Sequence, residues 1–233
     1  MSSLKARKKI THKEIKQDKL VTKYFEARNW FENDENKKKV YIAAGVLVVL
    51  VVVGFLYFSN KKAKNEEAET KLSAVIILYE QGKYPESING DPAANITGLS
   101  QIVNEYGSTE SGETAKLYLA NCYFNIKDYD NALKQFEDYG GDNDIIKASC
   151  LSGIAAVHEA KGDLKKAGEY YEKAANVNKD VVINQENLFY AIRVYTTAGD
   201  KENAKRVFDK FKELYPKSKY LNEAKRFEAE FKN

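Results

Sequence analysis

The sequence predicts an all-α protein in which one transmembrane helix is followed by a right-handed solenoid of helical hairpins. A run of 19 uncharged residues, 40–58, interrupts a chain in which 30% of the residues are charged. The 175 residues after this run show helical periodicity, with Pro and Gly mainly at breaks. An aromatic–alanine–aromatic spacing recurs in that part, which indicates stacked repeats.

Charge divides the chain at the apolar run. Residues 1–39 hold 12 Lys and Arg against 6 Asp and Glu, whereas residues 59–233 hold 25 against 28. Three lysines lie close to each end of the run, so the local charge balance does not by itself fix the orientation. Because the longer basic run comes first, we expect residues 1–39 in the cytoplasm and the domain after the run on the exported side.

The basic N-terminal segment has a specific helix-start signal. Thr11 is placed to cap a helix, Glu14 completes a capping box, and Ile10 and Ile15 are spaced as a hydrophobic staple. The helix is expected from His12 to about Phe31. Its apolar side chains predict an amphipathic stripe that lies on an anionic membrane surface or docks on a membrane partner, with a solvated helix as the alternative. The stripe consists of Leu20, Tyr24, Ala27 and Phe31, with Val21, Phe25 and Arg28 beside it.

The run Val40–Phe58 is predicted to be the transmembrane helix. At about 1.5 Å per residue it spans roughly 28 Å, close to the hydrocarbon thickness of a bilayer. Tyr41 and Tyr57 fall near its ends, where aromatic belts form. A buried core helix is less consistent with the flanking lysines. A signal peptide is less consistent with the 39 residues before the run and the bulky residues at its end.

Residues 59–65 are predicted to be a linker, and residues 66–233 a repeat domain. Each repeat has an aromatic or His position, an alanine nine residues later and a large ring four residues after that. The alanine allows two antiparallel helices to approach closely, and the ring fills the space beside it. The three sets are Tyr123, Ala132 and Phe136; His158, Ala167 and Tyr171; and Tyr195, Ala204 and Phe208.

The spacing resembles the tetratricopeptide repeat family, most clearly over residues 112–233. Leu119-Ala120 and Ile154-Ala155 match the family's first helix, and Pro216 matches its closing position. The chain departs from the pattern at His158 and Ile192, and no Trp opens a unit. The resemblance implies a tetratricopeptide-like right-handed solenoid. Its units lie near 66–106, 113–146, 148–181 and 185–218, with a closing helix at 219–232.

The first of these units is divergent. A turn is expected at Gly82–Pro85, and the second helix is interrupted at Asn89–Pro92 before it resumes near Gly98 and runs to Tyr106. No strand is predicted anywhere in the domain.

Residues with catalytic or metal-binding chemistry are sparse. His12 and His158 lie on opposite sides of the predicted membrane, so no histidine-based metal site or catalytic dyad is expected, and His158 is interpreted as a packing residue. A disulfide between Cys122 and Cys150 is conceivable but disfavoured by their different heights in neighbouring helices. We therefore expect a non-enzymatic protein with no cofactor, no nucleic-acid partner and no small-molecule substrate. Asn95-Ile96-Thr97 is a glycosylation sequon, a pattern that is common by chance.

The family resemblance implies a concave protein-binding face built from the first helices. Phe124 and Phe189 are its expected apolar anchors, and Asn121 and Arg193 its expected polar ones. An ordinary mixed solvent face is the alternative. The candidate partner-binding residues are Leu117, Asn121, Phe124, Asn125, Glu159, Phe189, Arg193 and Thr196, with Ser152 and Ala156 on the same face.

The order of parts resembles the ancillary subunit family of the bacterial Sec translocon, including an aromatic cluster at 25–31 before the anchor. This resemblance implies an inner-membrane protein that contacts the lipid bilayer, the translocon, secretory chains or envelope chaperones. The basic N-terminal segment departs from that family's more acidic one. An envelope scaffold that links the inner membrane to outer-membrane assembly or division machinery is the alternative, and an enzyme is a third hypothesis.

Overall fold

The computed structural model describes residues 12–178 and 183–231, with side chains from residue 19 onward, and almost all of this part is helical. It forms two compact units that divide between Asn60 and Lys61. In chain order the elements are α1 (His12–Glu32), α2 (Asp34–Glu80), α3 (Tyr84–Asn89), β1 (Gly90–Asp91), β2 (Ile96–Thr97), α4 (Leu99–Tyr106), α5 (Glu110–Asn125), α6 (Tyr129–Glu137), α7 (Asp144–Ala160), α8 (Leu164–Ala175), α9 (Asn184–Thr197), α10 (Lys201–Leu214) and α11 (Leu221–Phe231).

Helix α1 has nearly the predicted bounds and breaks from α2 at a single residue. The carboxamide oxygen of Asn33 accepts a hydrogen bond from the backbone N–H of Glu35 at 2.9 Å. The amide of Asn36 donates to the carbonyl of Trp30 at 3.0 Å. These contacts cap both helix ends. The predicted capping box and staple involve Ile10, Thr11 and the side chains of Glu14 and Ile15, which lie outside the described part of the chain.

The apolar side chains of α1 do not form the single narrow stripe that the spacing predicts. Leu20, Phe25 and Trp30 are all exposed. At about 100° per residue, Phe25 and Trp30 point roughly 140° apart around the helix. Arg28, ion-paired with Glu32 at 2.8 Å, is also exposed. The helix is therefore apolar and basic on several sides, which corrects the amphipathic expectation.

Helix α2 runs without a break through the apolar segment and on to Glu80. The apolar segment is unburied, which argues against a core helix, and among the described residues it belongs to the one helix long and apolar enough to cross a membrane. Residues 59–65, predicted to be a linker, are helical and form part of α2. Residues 59–65 contain no Pro or Gly. An ion pair between Lys62 and Glu66 at 3.8 Å also follows the i, i+4 spacing that supports helices.

Three helical hairpins confirm the predicted repeats: α5 with α6, α7 with α8, and α9 with α10. Helix α11 packs on α9 and α10 and closes the array. The alanines at the predicted close approaches are fully buried, and the rings one turn later are at most 4% exposed. These residues are Ala132 with Phe136, Ala167 with Tyr171, and Ala204 with Phe208.

Each hairpin turns through the same backbone geometry. A residue with positive φ is followed by an Asp whose side chain caps the second helix, as when Asp163 accepts from the backbone N–H of Lys166 at 3.3 Å. The N–H of Asp163 also donates to the carbonyl of His158 at 2.9 Å. This contact explains why a break follows four residues after the aromatic or His position. The positive-φ residue is Lys127 in the first complete hairpin, and Gly162 and Gly199 in the next two.

The divergent first unit is also a hairpin, in which the C-terminal part of α2 packs with α3 and α4. Leu72, Val75, Leu99 and Ile102 share its core. The predicted interruption and restart are confirmed, but the segment between them contains an antiparallel strand pair that the helical periodicity does not predict. The Asp91 carboxylate accepts hydrogen bonds from the backbone N–H groups of Ala93 and Ala94 at 3.0 and 3.2 Å, and this local turn brings the two short strands together.

Neighbouring units are joined by polar contacts between residues 34 positions apart. The spacing equals one repeat period. Three of the four contacts link the hairpin α7–α8 to the hairpin α9–α10, and the contact of Asp144 joins α7 to the loop after α8. The pairs are Asp144 with Asn178, Glu159 with Arg193, Glu172 with Arg206, and Asn176 with Lys210.

The first prediction concerns the turn at Lys127. Lys127→Gly should stabilise the protein by about 0.5–1 kcal/mol, because a left-handed backbone costs a lysine roughly 1–2 kcal/mol, of which the flexibility of glycine offsets part. The reverse change at the equivalent turn, Gly162→Lys, should destabilise it by about 1 kcal/mol. Chemical unfolding of the full chain in detergent measures both. If both substitutions changed the stability equally and in the same direction, the left-handed backbone at Lys127 and Gly162 would be contradicted.

The second prediction concerns the close contact between α8 and α9. A Cβ at Gly168 would lie 2.5 Å from the ring of Tyr195, which is 2% exposed. Gly168→Ala should therefore cost about 1–3 kcal/mol from overpacking, although alanine favours helices elsewhere. The exposed change Lys165→Ala in the same helix is the control and should stay within about 0.5 kcal/mol of wild type in thermal unfolding. A stabilised Gly168→Ala protein would show that the contact is not tight.

Candidate protein-binding groove

The first helices of the three complete hairpins, α5, α7 and α9, line one open groove of ≈ 530 Å³. Two rings from second helices and one residue before α9 complete it. The lining residues are Leu117, Asn121, Phe124, Phe136, Ser149, Ser152, Gly153, Ala156, Tyr171, Ile183, Glu186, Asn187, Tyr190 and Arg193. The groove is therefore mixed, with apolar, uncharged polar and charged side chains facing the same space.

Four of the eight predicted binding residues line this groove. Leu117, Asn121 and Phe124 do so from α5, and Arg193 from α9. Ser152 and Ala156, expected on the same face, line it from α7. Whether these residues contact a partner stays a prediction.

Two other predicted residues bond to their own helices. The Asn125 amide donates to the carbonyl of Asn121 at 2.8 Å. The Thr196 hydroxyl donates to the carbonyl of Ile192 at 2.8 Å. Both side chains are outside the groove lining, because these local bonds turn them back along their helices.

Phe189 is not an exposed anchor, which corrects the prediction. Its side chain is 5% exposed and stacks on Tyr220 with ring centroids 5.2 Å apart. The ring centroid of Phe227, in the closing helix α11, lies 6.3 Å from that of Phe189. The C-terminal segment thus covers the α9 position that is open in the earlier units, and Phe189 belongs to the core.

Glu159 lies behind the groove and holds two of its residues. The Arg193 guanidinium donates to both Glu159 carboxylate oxygens, at 2.7 and 2.9 Å. The Tyr171 hydroxyl donates to the same carboxylate at 3.2 Å. Burial tends to lower the pKa of Arg193, but the hydrogen bonds to Glu159 outweigh it and the pKa is raised. Burial and the adjacent Glu159 carboxylate raise the pKa of Tyr171. The arginine is thus charged and neutralised by a bidentate partner.

A second polar pair lies further toward the start of α9. The Tyr190 hydroxyl donates to the Glu186 carboxylate at 2.8 Å. Burial, and then this hydrogen bond, raise the pKa of Tyr190 to about 12, so the phenol remains a neutral donor. The Arg193 guanidinium lies 5.5 Å from the Tyr190 ring centroid, within cation–π range.

Several lining residues were not predicted from the sequence. The i, i+4, i+7 spacing of one helix face relates Glu186, Tyr190 and Arg193. This spacing could have identified Glu186 and Tyr190 once Arg193 was predicted. Tyr171 and Phe136 were interpreted only as core rings. Their edges reach the groove as well, and no sequence signal separates these two roles.

The cysteines and His158 have packing roles. Cys122 and Cys150 are free and buried, and burial raises the pKa of each thiol to about 12, which disfavours the reactive thiolate. His158 stacks on Tyr170 with ring centroids 5.4 Å apart, and burial lowers its pKa. Within residues 12–178 and 183–231, no group of three His, Cys, Asp or Glu side chains could hold a metal ion.

Comparison with solved structures supports this fold. A crystal structure of nearly identical TPR-like repeats, from a candidate kinesin light chain of Podosopora anserina, aligns with a TM-score of 0.53. The alignment covers 72% of this chain and 89% of that structure at 13% sequence identity. At this identity the likeness shows the helical repeat solenoid alone.

Two known protein sequences are similar to about half of this chain. The uncharacterised protein ycf37 of Pyropia yezoensis is 30% identical over 127 residues, which cover 53% of this chain and 70% of that protein. A soluble NSF attachment protein homologue of Fowlpox virus is 28% identical over 124 residues, and the match covers 46% of this chain and 44% of the viral protein. The chain therefore spans less than half of the viral relative.

Family models locate the repeats on the same hairpins. Models described as tetratricopeptide repeats match residues 113–180 and 186–218. The first range covers the hairpins α5–α6 and α7–α8, and the second covers α9–α10. Since the three hairpins that build the groove all match tetratricopeptide repeat models, the chain belongs to the tetratricopeptide repeat family.

Proposed function

We propose that the protein is a membrane-anchored binding module of the bacterial inner membrane. In this proposal the N-terminal segment is cytoplasmic and the repeat domain is periplasmic. The domain acts near the Sec translocon and passes emerging secretory chains to envelope chaperones. The groove across α5, α7 and α9 is the observation that carries the binding function, because tetratricopeptide domains act as protein-interaction modules.

The exposed apolar part of α2 supports the anchor. Large side chains from Tyr41 to Phe58 are each at least 50% exposed, and together they exceed the apolar patches that soluble monomers tolerate. Transfer of one such side chain out of water contributes about 1.5–3 kcal/mol, so a bilayer stabilises this segment strongly. The segment contains no ionisable Asp, Glu, Lys, Arg or His, and therefore suits a tether better than an ion or substrate pathway.

The mixed lining of the groove supports protein binding. Phe124 and Leu117 are half-buried and offer apolar contact area, while Asn121 and Ser152 offer hydrogen-bonding groups beside them. An extended segment or a helix of another protein could use both kinds of contact. A preformed groove also lowers the ordering cost of binding.

The third prediction identifies the partner by photo-crosslinking in cells. A photoreactive phenylalanine analogue at Phe124 should give adducts with a translocon component or secretory chains, whereas the same analogue at the exposed Lys165, outside the groove, should not. Mass spectrometry identifies the adducts. Adducts with outer-membrane assembly or division components would favour an envelope scaffold instead. Identical adducts at both positions would show that the groove is not the binding site.

A matched pair of blocking variants completes this test. Ala156→Trp places a large ring in the groove and should reduce the Phe124 adducts at least about tenfold, because the partner loses its binding volume. Lys165→Trp adds the same ring elsewhere and should leave them unchanged. Ser152→Trp is a second blocking variant, and circular dichroism checks that each protein is folded. Undiminished adducts in folded blocking variants would show that partners bind elsewhere.

The fourth prediction tests the orientation. Asn95 is exposed at the turn between β1 and β2, within the sequon Asn95-Ile96-Thr97. Translation of the full chain with endoplasmic reticulum microsomes should add one glycan if the repeat domain is translocated, and Asn95→Gln should abolish it. Electrophoretic mobility and protection from added protease report the result. An unmodified domain that protease degrades would overturn the exported assignment.

A further inference from the structure

Building on the proposed binding function, we infer that the groove selects extended protein segments that combine apolar side chains with a lysine or arginine. Acidic segments and free C-terminal carboxylates are poor ligands for the same groove. The charged and polar groups of the groove differ in whether they already have partners, and this difference sets the selectivity.

The positive charge in the groove is already used. Arg193 and Glu186 are the two charged residues in the lining. The Arg193 guanidinium makes two charge-assisted hydrogen bonds to Glu159, and this partner is itself held by Tyr171. An anionic ligand would have to replace a preformed bidentate pair and leave Glu159 without its cation. That exchange is unfavourable for a partly buried carboxylate.

The negative charge in the groove is not balanced. Glu186 accepts a hydrogen bond from the neutral hydroxyl of Tyr190, and no Lys, Arg or His among the described residues forms an ion pair with it. A neutral donor stabilises a carboxylate without cancelling its charge. Glu186 therefore gives the α9 side of the groove a net negative potential, which favours a basic side chain of the ligand.

Asn187 adds a hydrogen-bond donor that has no acceptor. The residue lines the groove and is 2% exposed, and its Nδ2 has no partner in the described part of the chain. A buried donor left unpaired is destabilising, and a ligand carbonyl would satisfy it once the carboxamide turns toward the groove. Main-chain carbonyls within a helix are already bonded, whereas those of an extended segment are free. Asn187 therefore favours an extended ligand.

The apolar part of the groove lies on the opposite helix. Leu117 and Phe124 project from α5, whereas Glu186 and Asn187 belong to α9, and Ala156 of α7 contributes a small side chain. A ligand that crosses the groove meets two apolar side chains with the uncharged Asn121 at one side, and an acidic carboxylate at the other. This asymmetry gives the ligand a preferred direction.

The fifth prediction is a selection followed by binding measurements. Full-length protein in lipid nanodiscs is used to select from a random 12-residue peptide library displayed with both ends blocked. The enriched peptides should contain a Lys or Arg together with apolar residues. Fluorescence anisotropy of one labelled peptide should then show about fivefold weaker binding to Glu186→Gln, and little change for its analogue in which the basic residue is replaced by Met.

A matched control and the salt dependence make the test specific. Glu213→Gln removes one exposed carboxylate outside the groove and should leave the affinity unchanged. Binding of the basic peptide should weaken with added salt in wild type, and less so in Glu186→Gln. Asn187→Ala should weaken the basic peptide and its Met analogue alike, because it removes the contact to the main chain.

Different outcomes contradict different claims. Enriched peptides that are acidic, tighter binding once the C-terminal block of an enriched peptide is removed, or a Glu186→Gln protein that binds as tightly as wild type would overturn the inference alone, provided that Ala156→Trp still abolishes binding. Enrichment of nothing, or of peptides that bind the folded Ala156→Trp protein unchanged, would overturn the groove function as well as its selectivity.

Discussion

The repeat domain depends on the burial of one hairpin by the next. A pair of helices of this length cannot cover its own apolar face, so each hairpin is stable only in the stack. The contacts that close the stack are small residues against large rings, as at Ala167 and Tyr171, both of which belong to the core shared by the last two hairpins. Glycines act similarly, since the ring of Phe136 packs where Gly153 has no side chain. Such contacts fix the distance between helices to within a methyl group.

The same constraint produces the groove. The second helices and one side of the first helices are committed to the core, so the other side of α5, α7 and α9 remains open. Tyr171 belongs to both parts, because its ring is buried in the core while its hydroxyl holds Glu159. Through Glu159 the core therefore positions Arg193, and the charge that a ligand meets is set by packing beneath the surface.

The sequence predicted the parts of this architecture that depend on local spacing. The alanine positions, the Asp163 turn and the interrupted first hairpin follow from contacts within about one helical turn or one hairpin, which a single sequence records. The sequence did not predict the surroundings of side chains that contact elements distant in the chain. Phe189 looks like an exposed anchor until Tyr220 and Phe227 of the C-terminal segment cover it. The pairing of Glu159 with Arg193 likewise joins two repeats, so neither residue alone shows that the charge is neutralised.

The groove and the stability of the stack cannot vary independently. Gly153 and Phe136 line the groove and also form a close contact between α7 and α6. A larger residue at Gly153 would displace the ring, and the displaced ring would enter the space that a ligand needs. A smaller residue at Phe136 would leave a cavity that weakens the hairpin. Selectivity can therefore change most readily at lining residues that the core does not use, such as Asn121, Ser152 and Glu186, where side chains differ in charge and hydrogen bonding without altering the helix spacing.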